Sequence, residues 1–235
     1  MKLWNLSLCA AVASLGLYGA ANAETAPTWS VNAAVTSDYV FRGISQTGTY
    51  DPAVQGGVDL GLGIGYAGAW ASNVKFGNGT DAEVDLYGGV RPKLGPVTLD
   101  LGVIGYLYPG APHGSNENYV EFKAAGTVPA GPVTLGASVF YSPDYTFTPG
   151  SNADGVYYEV NAAFSPIKPV TVSGAVGHQY VQGAYVDYTT WNVGVTWAFL
   201  PHLSIDARYW DTDHHSTFGD FGDSRAVATL KATFP

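Results

Sequence analysis

Apolar side chains occupy every second position in many segments of this chain, and residues 82–103 show the pattern most clearly. Val84 and Leu86 alternate there with Glu83 and Asp85. Because successive side chains of a β-strand point to opposite faces, this spacing predicts a strand with one apolar and one polar face. A short stretch with two prolines and a glycine interrupts the pattern, and alternation then resumes. The two runs therefore predict a β-hairpin.

This hairpin recurs along the chain. The tripeptide Pro-Val-Thr at 96–98 reappears at 132–134 and 169–171, and a looser copy begins at Pro201. Alternating runs can be followed from 29 to 234, and we count about twelve of them. A propeller blade needs about four strands in about forty residues, whereas only two fit here. We predict an all-β fold: an antiparallel up-and-down β-barrel of about twelve strands, since closure removes exposed sheet edges.

The N-terminal residues 1–23 have the composition of a secretory signal peptide. A lysine lies near the start, residues 6–17 are largely apolar, and Ala21-Asn22-Ala23 fits the small-x-small cleavage pattern. We predict that this segment is cleaved and that residues 24–235 form the barrel as one domain. Cys9 is the single cysteine and lies in the predicted signal peptide, so the mature chain would have no disulfide and no thiolate ligand.

The charge composition limits the classes of partner. Only 12% of the residues are charged, the formal net charge is -9, and no basic patch could hold a nucleic-acid backbone. We predict no nucleic-acid partner, no cofactor and no catalytic residue. His214 and His215, beside Asp211 and Asp213, are of metal-ligand types, but their spacing matches no known site. We predict a solvated loop there and no metal site.

Short and long connections alternate between the predicted strands. Short turns are typical of the periplasmic rim of an outer-membrane barrel, and longer polar loops are typical of its outer rim. An even number of strands then leaves both termini in the periplasm. The predicted short turns are 61–63, 91–96, 128–132, 165–169 and 200–202, and the predicted loops are 42–52, 74–80, 108–118, 143–154, 181–187 and 211–223.

A soluble barrel such as a lipocalin would show the same alternation with its faces reversed. In a membrane barrel the apolar faces point outward, and in the third run this face is Ile64, Tyr66, Gly68 and Trp70. The membrane version is favoured because the polar faces carry too many ionisable groups for a dry core. We predict that eleven of them line a pore: Asp59, Glu83, Asp85, Asp100, Glu121, Lys123, Glu159, Asp206, Arg208, Arg225 and Lys231.

Aromatic residues near the strand ends also favour a membrane barrel, because such residues form two bands at the lipid headgroup levels. Outer-membrane lipid and lipopolysaccharide are the partners that this surface implies. We further predict that Phe234, one position before the C-terminal Pro235, is the signal for the barrel-assembly machinery. The predicted bands are Tyr39, Phe41, Tyr106, Tyr108, Tyr141, Tyr145, Tyr209 and Trp210 toward the loops, and Trp29, Phe164, Trp197 and Phe199 toward the turns.

Several motifs in the first half of the chain resemble a known family. They are SDYVFRGISQT at 37–47, PAVQGG at 52–57, WASNV at 70–74, EVDLYGG at 83–89 and YPG at 108–110. Together they are similar to the motifs of the TorF family of porins of Gram-negative bacteria. The resemblance implies an outer-membrane barrel with a channel role.

A channel is the function that we predict. A barrel of about twelve strands is narrower than the sixteen-stranded porins, so the channel should be slender and its cargo small hydrophilic solutes. Seven acids against four bases on the predicted wall favour cations mildly. Asp38, Tyr39 and Arg42 are predicted at the mouth. Arg42 would either contact solutes there or anchor a loop through an ion pair.

Two other functions remain open from the sequence. The barrel could be non-conducting and serve as an adhesin or receptor. It could also be a lipid-modifying enzyme with a Ser and a His on its outer wall. Ser173 and His178 are the candidate pair, but an odd spacing puts them on opposite faces of a strand, which is poor geometry for proton transfer. We therefore predict that the protein is not an enzyme.

Overall fold

A computed structural model of the chain describes residues 26–48, 50–113, 117–145, 153–183 and 187–235. The predicted signal peptide, 1–23, lies outside the described residues. Strands of 9 to 13 residues form one antiparallel barrel. In chain order they are β1 (Thr28–Thr36), β2 (Ala53–Leu62), β3 (Gly65–Asn73), β4 (Ala82–Val90), β5 (Val97–Leu107), β6 (Tyr119–Ala130), β7 (Val133–Ser142), β8 (Gly155–Ile167), β9 (Val170–Val181), β10 (Tyr188–Leu200), β11 (Leu203–Thr212) and β12 (Arg225–Phe234).

Each strand pairs with its neighbours in the sequence, and the first and last strands close the barrel. β1 pairs with β12 from Val31 opposite Phe234 to Thr36 opposite Thr229. The predicted up-and-down barrel of 12 strands is confirmed. A tilted strand of about nine to eleven residues is long enough to cross the hydrocarbon core of a bilayer, and these strands meet that length.

The connections are asymmetric, as the sequence predicts. Two residues join β2 to β3, β6 to β7, β8 to β9 and β10 to β11, at the rim where β1 begins and β12 ends. The predicted turns at 128–132 and 165–169 are too long, because β6 extends to Ala130 and β8 to Ile167. Pro166 lies within β8, at a register shift between Phe164 and Ile167. A bulge tolerates the missing N–H there.

Short elements complete the described chain. Val40–Phe41 pairs with Ile44–Ser45, and Lys93–Leu94 lies between β4 and β5. A single helical turn, His215–Phe218, is followed by the 3-10 turn Gly219–Phe221. No helix in the described part of the chain is long and apolar enough to span a membrane.

The outer face of the barrel is apolar. Val54 and Val160 are 67% and 61% exposed, and similar side chains cover the middle of the other strands. The inward positions carry the charged residues instead; Glu83 and Glu121 are each 2% exposed. This orientation is the reverse of that in a soluble barrel, whose apolar side chains fill the interior.

The inward and outward faces of the third strand, β3, are the reverse of those predicted. Tyr66 points inward and donates from its OH to Asp100 Oδ1 at 2.7 Å, and Trp70 lines the interior. β3 contains no charged residue, so no side chain of the strand itself marks the face that points inward. Pairing with β4 decides it, because Trp70 lies directly opposite the inward-facing Asp85.

Candidate functional site

Residues 38–47, which we call the inner hairpin, fold into the barrel after β1. The tip residues Arg42 and Gly43 have φ angles of 49° and 83°, the positive values that a two-residue type I′ turn requires. A Cβ atom on Gly43 would lie 2.2 Å from Thr190 Oγ1, so the tip packs tightly against the wall at β10. The hairpin therefore occupies the lumen near the rim of the long loops.

An ion pair holds the tip of the inner hairpin to β6. Arg42 Nη1 and Nη2 donate to Glu121 Oε1 and Oε2 at 2.8 and 2.7 Å, and Nη1 also donates to Gln179 Oε1 at 3.0 Å. Both charged side chains are 2% exposed. Two parallel charge-assisted hydrogen bonds fix the guanidinium in direction as well as distance.

A second ion pair holds the base of the inner hairpin to β12. Arg225 Nη1 donates to Asp38 Oδ2 at 2.5 Å, and the two side chains are 2% and 0% exposed. The other oxygen, Asp38 Oδ1, accepts from Ser45 Oγ at 2.6 Å and from Thr47 Oγ1 at 3.1 Å. The same carboxylate thus closes the hairpin and attaches it to the wall.

The residues predicted at the channel mouth lie inside the barrel. Asp38, Tyr39 and Arg42 are 1%, 5% and 3% exposed. The sequence reads as an outer loop because it follows a strand and is polar, but the tight turn and its ion pairs draw it into the lumen. Of the two roles considered for Arg42, its contacts are those of an ion-paired anchor.

All of the predicted wall residues lie on inward positions of their strands. Lys123 Nζ and Arg91 Nε donate to the same oxygen, Asp100 Oδ2, at 2.9 and 3.2 Å. Arg208 Nη2 donates to Asp206 Oδ2 at 3.1 Å. The inward set is Asp59, Glu83, Asp85, Asp100, Glu121, Lys123, Glu159, Asp206, Arg208, Arg225 and Lys231.

Glu83 and Asp85, which we call the acidic pair, differ from the other buried carboxylates. Both face inward from β4, and they are 2% and 6% exposed. Tyr39 donates to Glu83 Oε1 at 3.1 Å, but Glu83 Oε2 and Asp85 Oδ1 are buried and accept no hydrogen bond within the described chain. The Tyr39 hydroxyl therefore bonds Glu83 and not Asp85, and the two carboxyl groups lie within hydrogen-bonding reach of each other.

Most of the predicted aromatic band at the loop side is wrong. Tyr39, Phe41, Tyr106, Tyr108, Tyr145 and Trp210 are buried inside the barrel and do not face lipid. Nearness to a strand end does not show which face a residue occupies. Tyr106 is an even number of positions from the inward Asp100 on the same strand, so it shares the inward face. Tyr141 and Tyr209 do face outward, at 39% and 42% exposure, as do Trp29, Phe164 and Trp197 at the other rim.

The inward aromatic residues pack around the inner hairpin. The rings of Tyr106 and Tyr119 stack with centroids 4.4 Å apart, and the Arg42 guanidinium lies 4.3 Å from the centroid of Tyr157. Burial raises the pKa of Tyr145, in the loop after β7, to about 12, against the opposing effect of Arg42. This phenol is therefore neutral at physiological pH. Gln179, Tyr119 and Tyr157 are not among the site residues predicted from the sequence, although the alternation of β9, β6 and β8 places them inward.

A cavity of about 120 Å³ lies beside the inner hairpin. One side is formed by Tyr39, Trp70, Asp85 and Tyr106. The cavity extends toward the rim of the short turns, where polar residues including Thr196, Ser204 and Lys231 line it. The lumen is therefore constricted at the hairpin and open in part below it.

Two further candidate sites came from the sequence: the pair Ser173 and His178, and the loop that contains His214 and His215. Ser173 faces inward and accepts from Arg208 Nη2 at 2.9 Å, while the His178 Nδ1 atom lies 3.0 Å from Thr189 Oγ1. The serine and histidine lie on opposite faces of β9, as their spacing predicts, and form no relay. His214 and His215 each contact a different carboxylate, at 2.8 Å for Asp213 and 2.7 Å for Asp211. In the described ranges no three potential ligands are grouped around a metal position.

A family model matches residues 20–234 of the sequence. The chain belongs to Gcw_chp, a family of bacterial proteins of unknown function. The match of this Gcw_chp protein covers nearly its whole length, but the family description carries no activity. No curated protein matches the sequence.

Solved structures that resemble this Gcw_chp barrel include porins. The NanC porin has a TM-score of 0.60 at 11% identity, over 88% of this chain and 100% of that chain. The KdgM porin has a TM-score of 0.61 at 9% identity, over 88% and 99%. An outer membrane channel from Pseudomonas putida F1 has a TM-score of 0.51 at 12% identity, over 91% and 96%. At these identities the likeness shows the shared fold, that of outer-membrane barrels.

Proposed function

We propose that this protein is an outer-membrane channel for small hydrophilic solutes and that the inner hairpin forms its constriction. The observation that carries the proposal is the inverted barrel, whose outside is apolar and whose inside carries charged side chains and a cavity. Buried charges are costly in a dry core, and a lumen that admits water removes much of that cost. The porin and channel neighbours have the same fold, which supports this class of function without naming a solute.

The cellular setting is part of the same proposal. Residues 1–23 would direct export, the short turns would face the periplasm, and Phe234 would be read by the assembly machinery. The motifs similar to the TorF family of porins agree with this assignment, as does the apolar outer belt that would contact lipid and lipopolysaccharide. The acidic excess on the wall predicts a mild preference for cations.

The inner hairpin makes the channel narrow in this conformation. Its tip reaches the wall at Glu121, Gln179 and Thr190, so solutes pass only beside it or after it moves. The same observation favours the second candidate, a non-conducting barrel that serves as an adhesin or receptor. The two candidates differ in one measurable property, which is ion flux through the folded protein.

Conductance in a planar lipid bilayer tests the proposal. The mature chain should give small, discrete current steps, and the reversal potential in a KCl gradient should indicate a modest excess of K⁺ flux. A variant with Arg42→Met and Glu121→Gln, in which the hairpin tip loses its ion pair, should give larger steps. Absence of current for both proteins at every voltage would establish the non-conducting barrel instead.

A further inference from the structure

The acidic pair has no basic partner, unlike several other buried carboxylates inside the barrel. Glu121, Asp38 and Asp206 each form an ion pair with an arginine inside the barrel. Glu83 and Asp85 form no ion pair in the described part of the chain, although both are at least nine-tenths buried. An unpaired buried carboxylate is expensive, so the pair is stabilised either by a proton shared between its carboxyl groups or by a cation that enters the cavity beside Asp85.

Aromatic rings flank Asp85 on both sides. In the sheet register, Trp70 of β3 and Tyr106 of β5 are the residues directly opposite Asp85. Side chains at opposite positions have Cβ atoms about 4.5–5.5 Å apart, so both rings stand beside the carboxylate. Tyr39 of the inner hairpin adds a third ring, which meets Trp70 edge-on with centroids 5.4 Å apart. All four residues line the cavity.

We propose that the acidic pair and these three rings form a binding site for a small organic ammonium ion. An ammonium group in the cavity can interact with the carboxyl group of Asp85, which lines the cavity. Glu83 does not line the cavity and adds its charge from behind Asp85. Its charge and its alkyl part suit the faces of Trp70, Tyr39 and Tyr106, which attract cations through their π-systems. The assignment rests on the proposed channel, because the ligand would be a solute that enters its lumen.

The cavity limits the size of the ligand. Its volume is about 120 Å³, and a cavity of about 150 Å³ in another protein holds one benzene molecule. A primary amine with two or three carbons fits this space, whereas a tetraalkylammonium ion with long arms does not. Arg208, which also lines the cavity, does not compete for the acidic pair, because it is already bonded to Asp206, Asn192 and Ser173.

Binding of ethylammonium chloride to the mature, detergent-folded protein tests the site without requiring conduction. Saturation-transfer NMR and calorimetry should detect ethylammonium but not 1-propanol, a neutral molecule of similar size. The Asp85→Asn variant should lose affinity by about tenfold to a hundredfold, as expected for one hydrogen bond to a charged group. Asp59→Asn is the matched control: it removes the same charge from an inward position outside the site and should change affinity less than about twofold.

Other results would overturn the site. If wild-type protein binds no ethylammonium, the acidic pair is neutralised by a proton held between its carboxyl groups. If Asp85→Asn binds as well as wild type, or if K⁺ displaces ethylammonium at equal concentration, the ammonium assignment is wrong. Each variant is first checked for the heat-modifiable gel mobility of a folded barrel. If the protein conducts ions but does not bind ethylammonium, the channel proposal stands and the binding site is wrong. If it binds ethylammonium but does not conduct ions, the binding site stands and the channel proposal is wrong.

Discussion

Removing the guanidinium of Arg42 should change stability and channel opening together. In the Arg42→Met variant, the two bonds of 2.7 and 2.8 Å to Glu121 are lost and a carboxylate that is 2% exposed is left without a cation. Tyr106 OH, at 3.0 Å from Glu121 Oε2, is a remaining donor. Breaking a buried ion pair by removing one partner costs about 3–5 kcal/mol, which is about two to four powers of ten in an equilibrium constant.

The protein can respond to the loss of this ion pair in two ways. If the inner hairpin stays in place, the free energy of unfolding falls by the full amount. If the hairpin leaves the lumen, Glu121 is hydrated, stability falls less, and conductance rises. Urea titration of the barrel in phospholipid vesicles measures the first quantity, and single-channel recording measures the second. Adding Glu121→Gln to Arg42→Met should restore most of the lost stability, because no unpaired charge remains.

The chain offers a matched control for this experiment. Lys75 and Asp51 form an ion pair of 2.7 Å near the same loop, but their side chains are 68% and 50% exposed. Lys75→Met should therefore change stability by only about 0–1 kcal/mol and leave conductance unchanged. If Arg42→Met has wild-type stability and wild-type conductance, the ion pair does not hold the hairpin and the reasoning above is refuted.

Three further predictions concern the turn, the outer face and the C-terminus. Gly43→Ala should destabilise the barrel by about 1–3 kcal/mol more than Gly63→Ala in the same urea titration. Both glycines have positive φ, but only Gly43 is packed against Thr190, so equal losses of stability would contradict the tight contact. Val160→Lys should cost about 2–4 kcal/mol in vesicles, since this outward side chain at 61% exposure would face lipid, and an unchanged midpoint would argue against a membrane position. Phe234→Ala should slow assembly by the purified insertion machinery while deletion of Pro235 should not, and equal rates for wild type and Phe234→Ala would remove Phe234 from that role.

The sequence alone determines the barrel because the period of a strand is short and local. Charged residues such as Asp85, Glu121 and Arg208 mark the inward face, and every residue two positions away shares it. The strand number follows from counting the alternating runs. Closure follows from the cost of exposed sheet edges, and the asymmetry of the two rims follows from the lengths of the connections. Where a strand has no charge, as in β3, the face is set by pairing with its neighbour, and the sequence gives no local signal for that choice.

The site itself depends on contacts between distant parts of the chain. Arg42 meets Glu121 and Gln179, and Asp38 meets Arg225 across almost the whole length of the sequence. No periodicity reports such pairs, because loops follow no repeating pattern and their path is decided by which partners they reach. Local chemistry thus indicates which charged residues face the lumen. Only the tertiary structure shows that the inner hairpin narrows the lumen and that Glu83 and Asp85 form no ion pair in the described part of the chain.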